Sequence, residues 1–299
     1  MATYDASVKK ALTASQQDLI DHKEHCSADP VKLAAVGRER WHQVRIKRSD
    51  SEYGLYTVSQ IRQESPDNIV RMGPTGRKRL GTGAEFVGSL DSQVPHPTYD
   101  DADAETNNEF VERLEDNGMH TGLVVIAPHG GDIEPHTDQQ AERVASRLVA
   151  KAPSLWRCKG WWNPHRLAFD HWHITSTEIH AASFPRLNSI IYRGFTYAVA
   201  FHGFRQPEIL IGGGRAAESL KQEIKTEIEG KIAGSGIRVR IASSNERYGG
   251  DSRQNIVNRL TADGESGIQI EQSLQARSSR WRLKIADAVA DVYDRKLRS

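Results

Sequence analysis

An α/β fold with a mixed central sheet flanked by helices, preceded by an N-terminal β-rich accessory region, is what this sequence predicts. Three observations carry it. Apolar runs of strand length alternate with helix-spaced segments through the second half of the chain. Two of those runs end in His followed by Gly, as loops at the carboxyl ends of sheet strands do. The first half switches composition: Arg38 to Arg79 is rich in Arg and Lys, whereas Glu85 to Asp116 holds ten acids and one Arg. That switch marks a boundary.

Taken in order, residues 5 to 25 carry Val8, Leu12, Leu19 and Ile20 at rough helical spacing and stop near Ser27 to Pro30, which predicts a helical segment within 1–35. From Trp41 the pattern alternates, in Gln43-Val44-Arg45-Ile46-Lys47, in Tyr53 to Val58 and again within Asp67 to Met72, as short strands do. A long connecting loop at about 84–105 and a helix at about 106–117 complete a region of β-rich accessory structure and acidic connector over 36–118. In 119–299, strands are expected at Gly122–Ala127, Ile174–Thr177, Tyr197–Phe201, Glu208–Ile211, Ile237–Ile241 and Gly267–Gln272. Helices are expected at Thr137–Lys151, with Thr137 as cap, and at Phe184–Ile191, Arg215–Ile232, Asp251–Leu260 and Arg280–Leu297. This alternation argues for a largely parallel or mixed sheet covered on both faces.

Composition excludes several classes. Forty Lys and Arg stand against 39 Asp and Glu, so no global field recruits nucleic acid or an anionic membrane. No secretory signal opens the chain and no stretch of eighteen apolar residues occurs, so the expectation is a cytoplasmic protein, or one released or phage-borne without a signal. Cys26 and Cys158 lack metal-site spacing and are expected to be reduced, incidental thiols.

The chemistry gathers after two strands. Gly122–Ala127 runs into Pro128-His129-Gly130-Gly131-Asp132-Ile133-Glu134, where two glycines allow a sharp turn that brings an imidazole and a carboxylate onto one metal. Tyr197–Phe201 ends in His202-Gly203 and repeats that form. His129, Glu134 and His202 together make a His-His-carboxylate set with a fourth position open. His180 is the rival third ligand; the strand-end context favours His202. Such a site needs a base, and Glu271, in the alternating strand Gly267-Ile268-Gln269-Ile270-Glu271, is the candidate.

These segments, with His173-Ile174-Thr175-Ser176-Thr177, Ile211-Gly212-Gly213 and Asn255-Ile256-Val257-Asn258-Arg259 between them, resemble in order the poly-gamma-glutamate hydrolase family of phages and bacteria, also described as phage-related replication proteins. The resemblance spans about residues 120–297. It implies a zinc carboxypeptidase-like core of the phosphorylase/hydrolase-like kind over 119–299, with Zn2+ held by His129, Glu134 and His202 and with Glu271 as general base. Pro135-His136-Thr137 departs from the family's pattern after the ligand Glu and makes His136 a possible extra ligand or proton carrier.

The expected reaction is hydrolysis of an amide bond by metal-activated water, with Arg277, Arg193 and Arg259 as candidates to pair with a substrate carboxylate. By resemblance the substrate is an anionic polypeptide, γ-linked polyglutamate, and the basic residues Arg71, Arg77, Lys78 and Arg79 of the accessory region would help to hold it. The alternatives are an amidase or peptidase of another substrate, such as cell-wall peptide, and a binding protein that keeps a zinc pocket without catalysis.

Overall fold

The computed structural model describes residues 2–13, 15–278 and 280–298. The chain divides into two compact units, residues 1–98 with 162–185, and residues 99–161 with 186–299. Three consecutive segments had been expected. Instead the chain leaves the second unit at Trp162, contributes to the first, and returns at Arg186.

In the first unit, strands β1 (Thr3–Lys10), β2 (His25–Ala28), β3 (Gln43–Ser49), β4 (Glu52–Ile61), β5 (Ile69–Met72) and β6 (Phe86–Asp91) close into a barrel in the order β1-β5-β2-β4-β3-β6. Its interior is filled by Ala6, Val8, Cys26, Val44, Ile46, Tyr56, Val58, Val70, Met72 and Leu90. The helix expected over 5–25 is not formed. Ala6 and Val8, two apart, turn inward, and β1 finds its hydrogen bonds in parallel β5 and antiparallel β6. The helical spacing had mixed residues of three elements, because Leu19 belongs to a five-residue helix, Gln17–Asp21, and β2 follows at once.

Residues 174–177 do not form the expected strand. Glu24 answers their polar groups: its Oε2 accepts from the Thr175 backbone N–H at 3.0 Å and the Thr175 hydroxyl at 3.1 Å, and its Oε1 lies 2.5 Å from His173 Nδ1. A side chain thus takes the place of a ladder.

The basic residues read as a polyanion patch are mostly consumed within this unit. Arg71 binds Glu64 at 2.6 and 3.0 Å. Arg77 is buried and donates to the carbonyls of Gly83 and Met72 at 3.1 and 2.5 Å. Arg79 is buried over the Tyr56 ring and donates to Leu55 O at 2.8 Å. Lys78 alone of the four is exposed. Buried backbone carbonyls need donors, and these guanidinium groups supply them.

The second unit is a seven-stranded mixed sheet in the order β12-β11-β13-β10-β8-β9-β7. Its strands are β7 (Phe110–Glu115), β8 (Leu123–Gly131), β9 (Ser154–Gly160), β10 (Tyr197–Gly203), β11 (Glu208–Gly212), β12 (Arg238–Ile241) and β13 (Ile268–Gln272). The four central strands β13, β10, β8 and β9 run parallel, whereas β7 and β11 are antiparallel to their inner neighbours. Long helices Thr137–Arg147, Glu218–Lys231 and Trp281–Lys296 present Val144, Ile224, Ile228, Ile285 and Val289 to alternate strand residues Val125, Val199, Phe201, Ile211 and Ile270 in one continuous core. Each such side chain contributes about 1.5–3 kcal/mol when fully buried. Because successive strand residues point to opposite faces, His202, Gln269 and Glu271 lie on the other face from those helices.

The helix expected at 106–117 is instead a short helix, Asp101–Thr106, capped by the Asp100 carboxylate, and then β7. Its alternation was masked by Glu112, a buried acid. Glu112 accepts from Trp156 Nε1 and from the backbone of Arg186 and Leu187, at 2.7–2.9 Å. β9 escaped sequence reading for a similar reason, since Arg157 and Lys159 are buried within it and answered by Glu142, Asp138 and Asp101. Cys26 and Cys158 are both buried and unbridged, and burial pushes both thiols up.

Candidate active site and metal centre

His129 and Glu134 reach one point because β8 ends in a constrained turn. At Gly130 an added Cβ would lie 2.6 Å from the Asp138 Cβ and 2.9 Å from Cys158 O, and Gly131 has φ +65°. A side chain fits neither position. The turn closes when the Glu134 N–H donates to His129 O at 2.8 Å and the Thr137 hydroxyl donates to Glu134 O at 2.9 Å. Thr137 therefore anchors the turn instead of capping its helix, whose N-cap is His136 in left-handed geometry at φ +75°.

His202 arrives from β10, which pairs in parallel with β8. Its Nδ1 lies 3.2 Å from His129 Nδ1 and 3.3 Å from Glu134 Oε2, and His129 Nδ1 lies 3.2 Å from Glu134 Oε1. All three residues are buried. Two donors bound to one tetrahedral centre at about 2.05 Å stand roughly 3.3 Å apart, so the two imidazole nitrogens, each beside a different oxygen of the Glu134 carboxylate, have a spacing compatible with a shared divalent ion. The Gly203 N–H donates to Glu134 Oε2 at 2.9 Å and fixes the carboxylate. Burial opposes ionisation of Glu134, yet the His129 and His202 rings hold its carboxyl well below the ordinary range.

Glu271 is the register partner of His202 on the adjacent parallel strand. It is 5% exposed, and its Oε2 is buried without a hydrogen-bond partner. Its Oε1 accepts from Gln269 Nε2 at 2.9 Å. Burial and the Glu134 carboxylate together push the Glu271 carboxyl well above its ordinary value, against the pull of Gln269 and Arg277. A buried carboxylate with one committed oxygen and one open oxygen beside the His129, Glu134 and His202 cluster suits a proton acceptor.

Arg277 is also buried here. Its Nη1 donates to Pro135 O at 2.8 Å and its Nε to Gln272 O at 3.2 Å, which ties the turn after Glu134 to the end of β13. The guanidinium lies across Gly203, where an added Cβ would stand 2.3 Å from Arg277 Cζ.

Arg193 and Arg259 are not brought to this point. Arg193 Nη2 donates to Asp116 Oδ2 at 2.8 Å, and its Nη1 reaches the Ser154 hydroxyl at 3.4 Å, at the first residue of β9. Arg259 ends a short helix whose next residue, Leu260, accepts from the Phe195 N–H just before β10 begins. Both sit at the amino-terminal edge of the parallel strands, whereas His202 and Glu271 lie toward their carboxyl ends, about 16 Å along a strand. His180 lies in the barrel unit, where its ring packs on His42 with centroids 4.5 Å apart and its N–H donates to Gln43 Oε1 at 3.0 Å. His136 follows the Glu134 turn, and burial and the Arg282 charge lower its basicity. Gln269, which donates to Glu271 Oε1, was not singled out in the sequence. It was visible only as the polar member of an alternating strand, two residues before Glu271.

Residues 98–287 match the family profile described as poly-gamma-glutamate hydrolase. Among solved structures, a bacteriophage poly-gamma-glutamate hydrolase is similar at 24% identity and a TM-score of 0.48, over 62% of this chain and 89% of that one. The zinc-free apo form of YNDL matches at 20% identity and a TM-score of 0.48, over 64% and 94%. The N-acetylmuramoyl-L-alanine amidase AmiC2 of Nostoc punctiforme matches at 17% identity and a TM-score of 0.36, over 60% and 99%. No curated protein matches the sequence.

Proposed function

We propose that this chain, which belongs to the poly-gamma-glutamate hydrolase family, is a zinc-dependent amidohydrolase with a zinc carboxypeptidase-like core that cleaves the γ-linked amide bonds of polyglutamate. The observation that carries the reading is the convergence of His129, Glu134 and His202 at 3.2–3.3 Å from one another, with Glu271 in register beside them. His129, Glu134 and His202 would hold the ion, and the buried, unpartnered Oε2 of Glu271 supports a reactive centre there. When bound, zinc supplies Lewis acidity that polarises a carbonyl and acidifies water.

The chain's own residues do the rest. Glu271 takes a proton from the attacking water as its oxygen adds to the amide carbon, and later returns that proton to the leaving nitrogen. The Gly203 N–H keeps the Glu134 carboxylate turned toward both histidines. Arg277, which keeps guanidinium N–H groups beyond those bound to Pro135 and Gln272, would pair with a substrate carboxylate. Among the described residues no helix is long and apolar enough to cross a membrane.

The test incubates the purified protein with poly-γ-glutamate, α-linked polyglutamate and cell-wall peptide and measures released amines. Cleavage of the γ-linked polymer that chelator abolishes, zinc restores and Glu271→Gln removes is the expected result. Full turnover by metal-free protein or by Glu271→Gln would refute the mechanism; cleavage of cell-wall peptide alone would move the substrate. Zinc binding without any cleavage would indicate a binding protein.

A further inference from the structure

Glu271 has two chemically distinct oxygens, and a chain of hydrogen bonds anchored on backbone at both ends decides which is which. Asn255 caps the short helix Ile256–Arg259: its Oδ1 accepts from the Val257 N–H at 3.2 Å. A backbone N–H can only donate, so the other terminus of Asn255, Nδ2, is the donor that meets Gln269 Oε1 at 2.7 Å. Gln269 Oε1 is thereby an acceptor, and Gln269 Nε2 must donate. Its two hydrogens go to Tyr248 O at 3.1 Å and to Glu271 Oε1 at 2.9 Å. Tyr248 O is a carbonyl and can only accept, so the far end agrees in polarity with the near one. Neither amide can flip without facing donor to donor or acceptor to acceptor in a buried place.

We propose that Gln269, oriented by Asn255 and the Tyr248 carbonyl, is a positioning residue that holds Glu271 Oε1 as a permanent acceptor and leaves Oε2 as the oxygen that exchanges the proton. The proposal rests on the reading of Glu271 as general base. The proton balance is simple: one O–H bond of water breaks, its proton goes to Oε2, and the water oxygen forms the new bond to carbon. As the C–N bond breaks, Oε2 gives that proton to nitrogen. Oε1, with a lone pair committed to the Gln269 N–H at 2.9 Å, is the poorer proton acceptor of the two oxygens, and the uncommitted Oε2 is the better one. The buried, unpartnered state of Oε2 is what such a division of labour requires.

The sequence expresses this device as Asn255 in the Asn255-Ile256-Val257-Asn258-Arg259 segment and Gln269 in Ile268-Gln269-Ile270-Glu271, which have no obvious connection until β13 and the capping turn are placed together. Gly250, with φ +71° and a would-be Cβ 3.0 Å from the Gln269 Cβ, lets the Tyr248 loop close over the amide.

The experiment compares Gln269→Met, close in shape but without hydrogen bonds, with Asn255→Ser, which keeps a good helix cap but cannot reach Gln269. Both are assayed on poly-γ-glutamate in the zinc-loaded full chain, beside wild type and Glu271→Gln, with bound zinc and thermal unfolding measured in each. The expected result for Gln269→Met is a fall in kcat of about 10- to 100-fold, in the range usual for loss of an outer partner, with KM and zinc content little changed. Asn255→Ser is expected to lower kcat in the same direction by a smaller factor. A merely structural role would lower the melting temperature and leave kcat of the folded protein intact, and that result overturns the proposal. Should Glu271→Gln retain full activity, the base assignment itself fails; if that variant is dead while Gln269→Met is as fast as wild type, only the positioning role is lost.

Discussion

His202 and Glu271 face one another as register partners on parallel strands β10 and β13, and the next residue after His202 donates its backbone N–H to Glu134 at 2.9 Å. Three strand ends therefore share one hydrogen-bonded junction. A slip of one residue in either strand would turn His202 or Glu271 into the helix-covered face of the sheet. The site and the sheet register stand or fall together.

Zinc should stabilise the protein as well as activate it. Adding zinc to chelator-treated protein, to a free concentration of 100 times its dissociation constant, is expected to raise unfolding free energy by about 2.7 kcal/mol. Differential scanning calorimetry reads this as an upward shift in Tm. In His202→Ala the shift should largely vanish; an undiminished shift would place the ion elsewhere.

Glu134 balances two imidazoles, so a neutral amide at that position is not an innocent replacement. Glu134→Gln can still accept from the Gly203 N–H but presents N–H groups to His129 or His202. Hydrolysis should drop by at least about 100-fold and bound zinc should be lost, since even outer partners of metal ligands carry 10- to 100-fold effects. Elemental analysis of the purified variant checks the second part.

Gly203→Ala probes Arg277 without touching it. The new methyl would occupy the place of the guanidinium, 2.3 Å from Cζ, and must drive Arg277 off the Pro135 and Gln272 carbonyls. The cost should be about 1–3 kcal/mol of stability. If Arg277 also receives the substrate carboxylate, KM for the polymer rises in Gly203→Ala as in Arg277→Ala, and the double variant is no worse than the single ones, as coupled neighbours are.

Arg193→Ala should separate stability from activity. Its bond to Asp116, which that contact brings down to about 2, lies at the other edge of the sheet. Thermal unfolding should move down by the equivalent of about 1–3 kcal/mol, while kcat and KM stay within about twofold of wild type, because sites this far apart act independently. A large rise in KM would return Arg193 to the substrate-binding set.

Acid sensitivity of the barrel unit should be dominated in one window by His171. Burial brings its imidazole down to about 4, although its Nδ1 hydrogen bonds Tyr53 O at 2.6 Å, and its ring stacks on Trp162 with centroids 3.4 Å apart. The folded state keeps this ring neutral while the unfolded chain protonates it below about 6.5, so the unfolded state binds more protons in between. Stability is full above about 6.5 and declines as pH falls toward about 4, by about 3 kcal/mol from this group. His171→Asn keeps a donor toward Tyr53 and cannot titrate. Urea unfolding at several pH values should show the slope in this window reduced by that amount in the variant.

Much of this molecule can be read from its chain order. The strands of the second unit carry apolar runs with His or Glu at their ends, and alternation alone puts His202 and Glu271 in strands whose other faces, Val199 and Phe201, Ile268 and Ile270, are core. Those patterns are local, and local chemistry is what a sequence displays. The double glycine after His129 belongs to the same class, since a side chain there has no room.

What only the tertiary structure decided is which polar groups meet. β7 and β9 hide in plain sight because Glu112, Arg157 and Lys159 are buried charges whose partners lie 15 to 75 residues away in sequence. Arg77 and Arg79 look like surface cations until the barrel closes on them. Gln269 gains its meaning only when Asn255 and Tyr248, 14 and 21 residues distant, fix its amide against Glu271. A charge or an amide in a sequence states what it can bind, and the fold chooses the partner, because burial makes an unpaired polar group too costly to leave. His129, Glu134 and His202 were legible as candidate ligands; that the two imidazole nitrogens stand 3.2 Å apart, each 3.2–3.3 Å from an oxygen of Glu134, was settled by the register of β8 against β10.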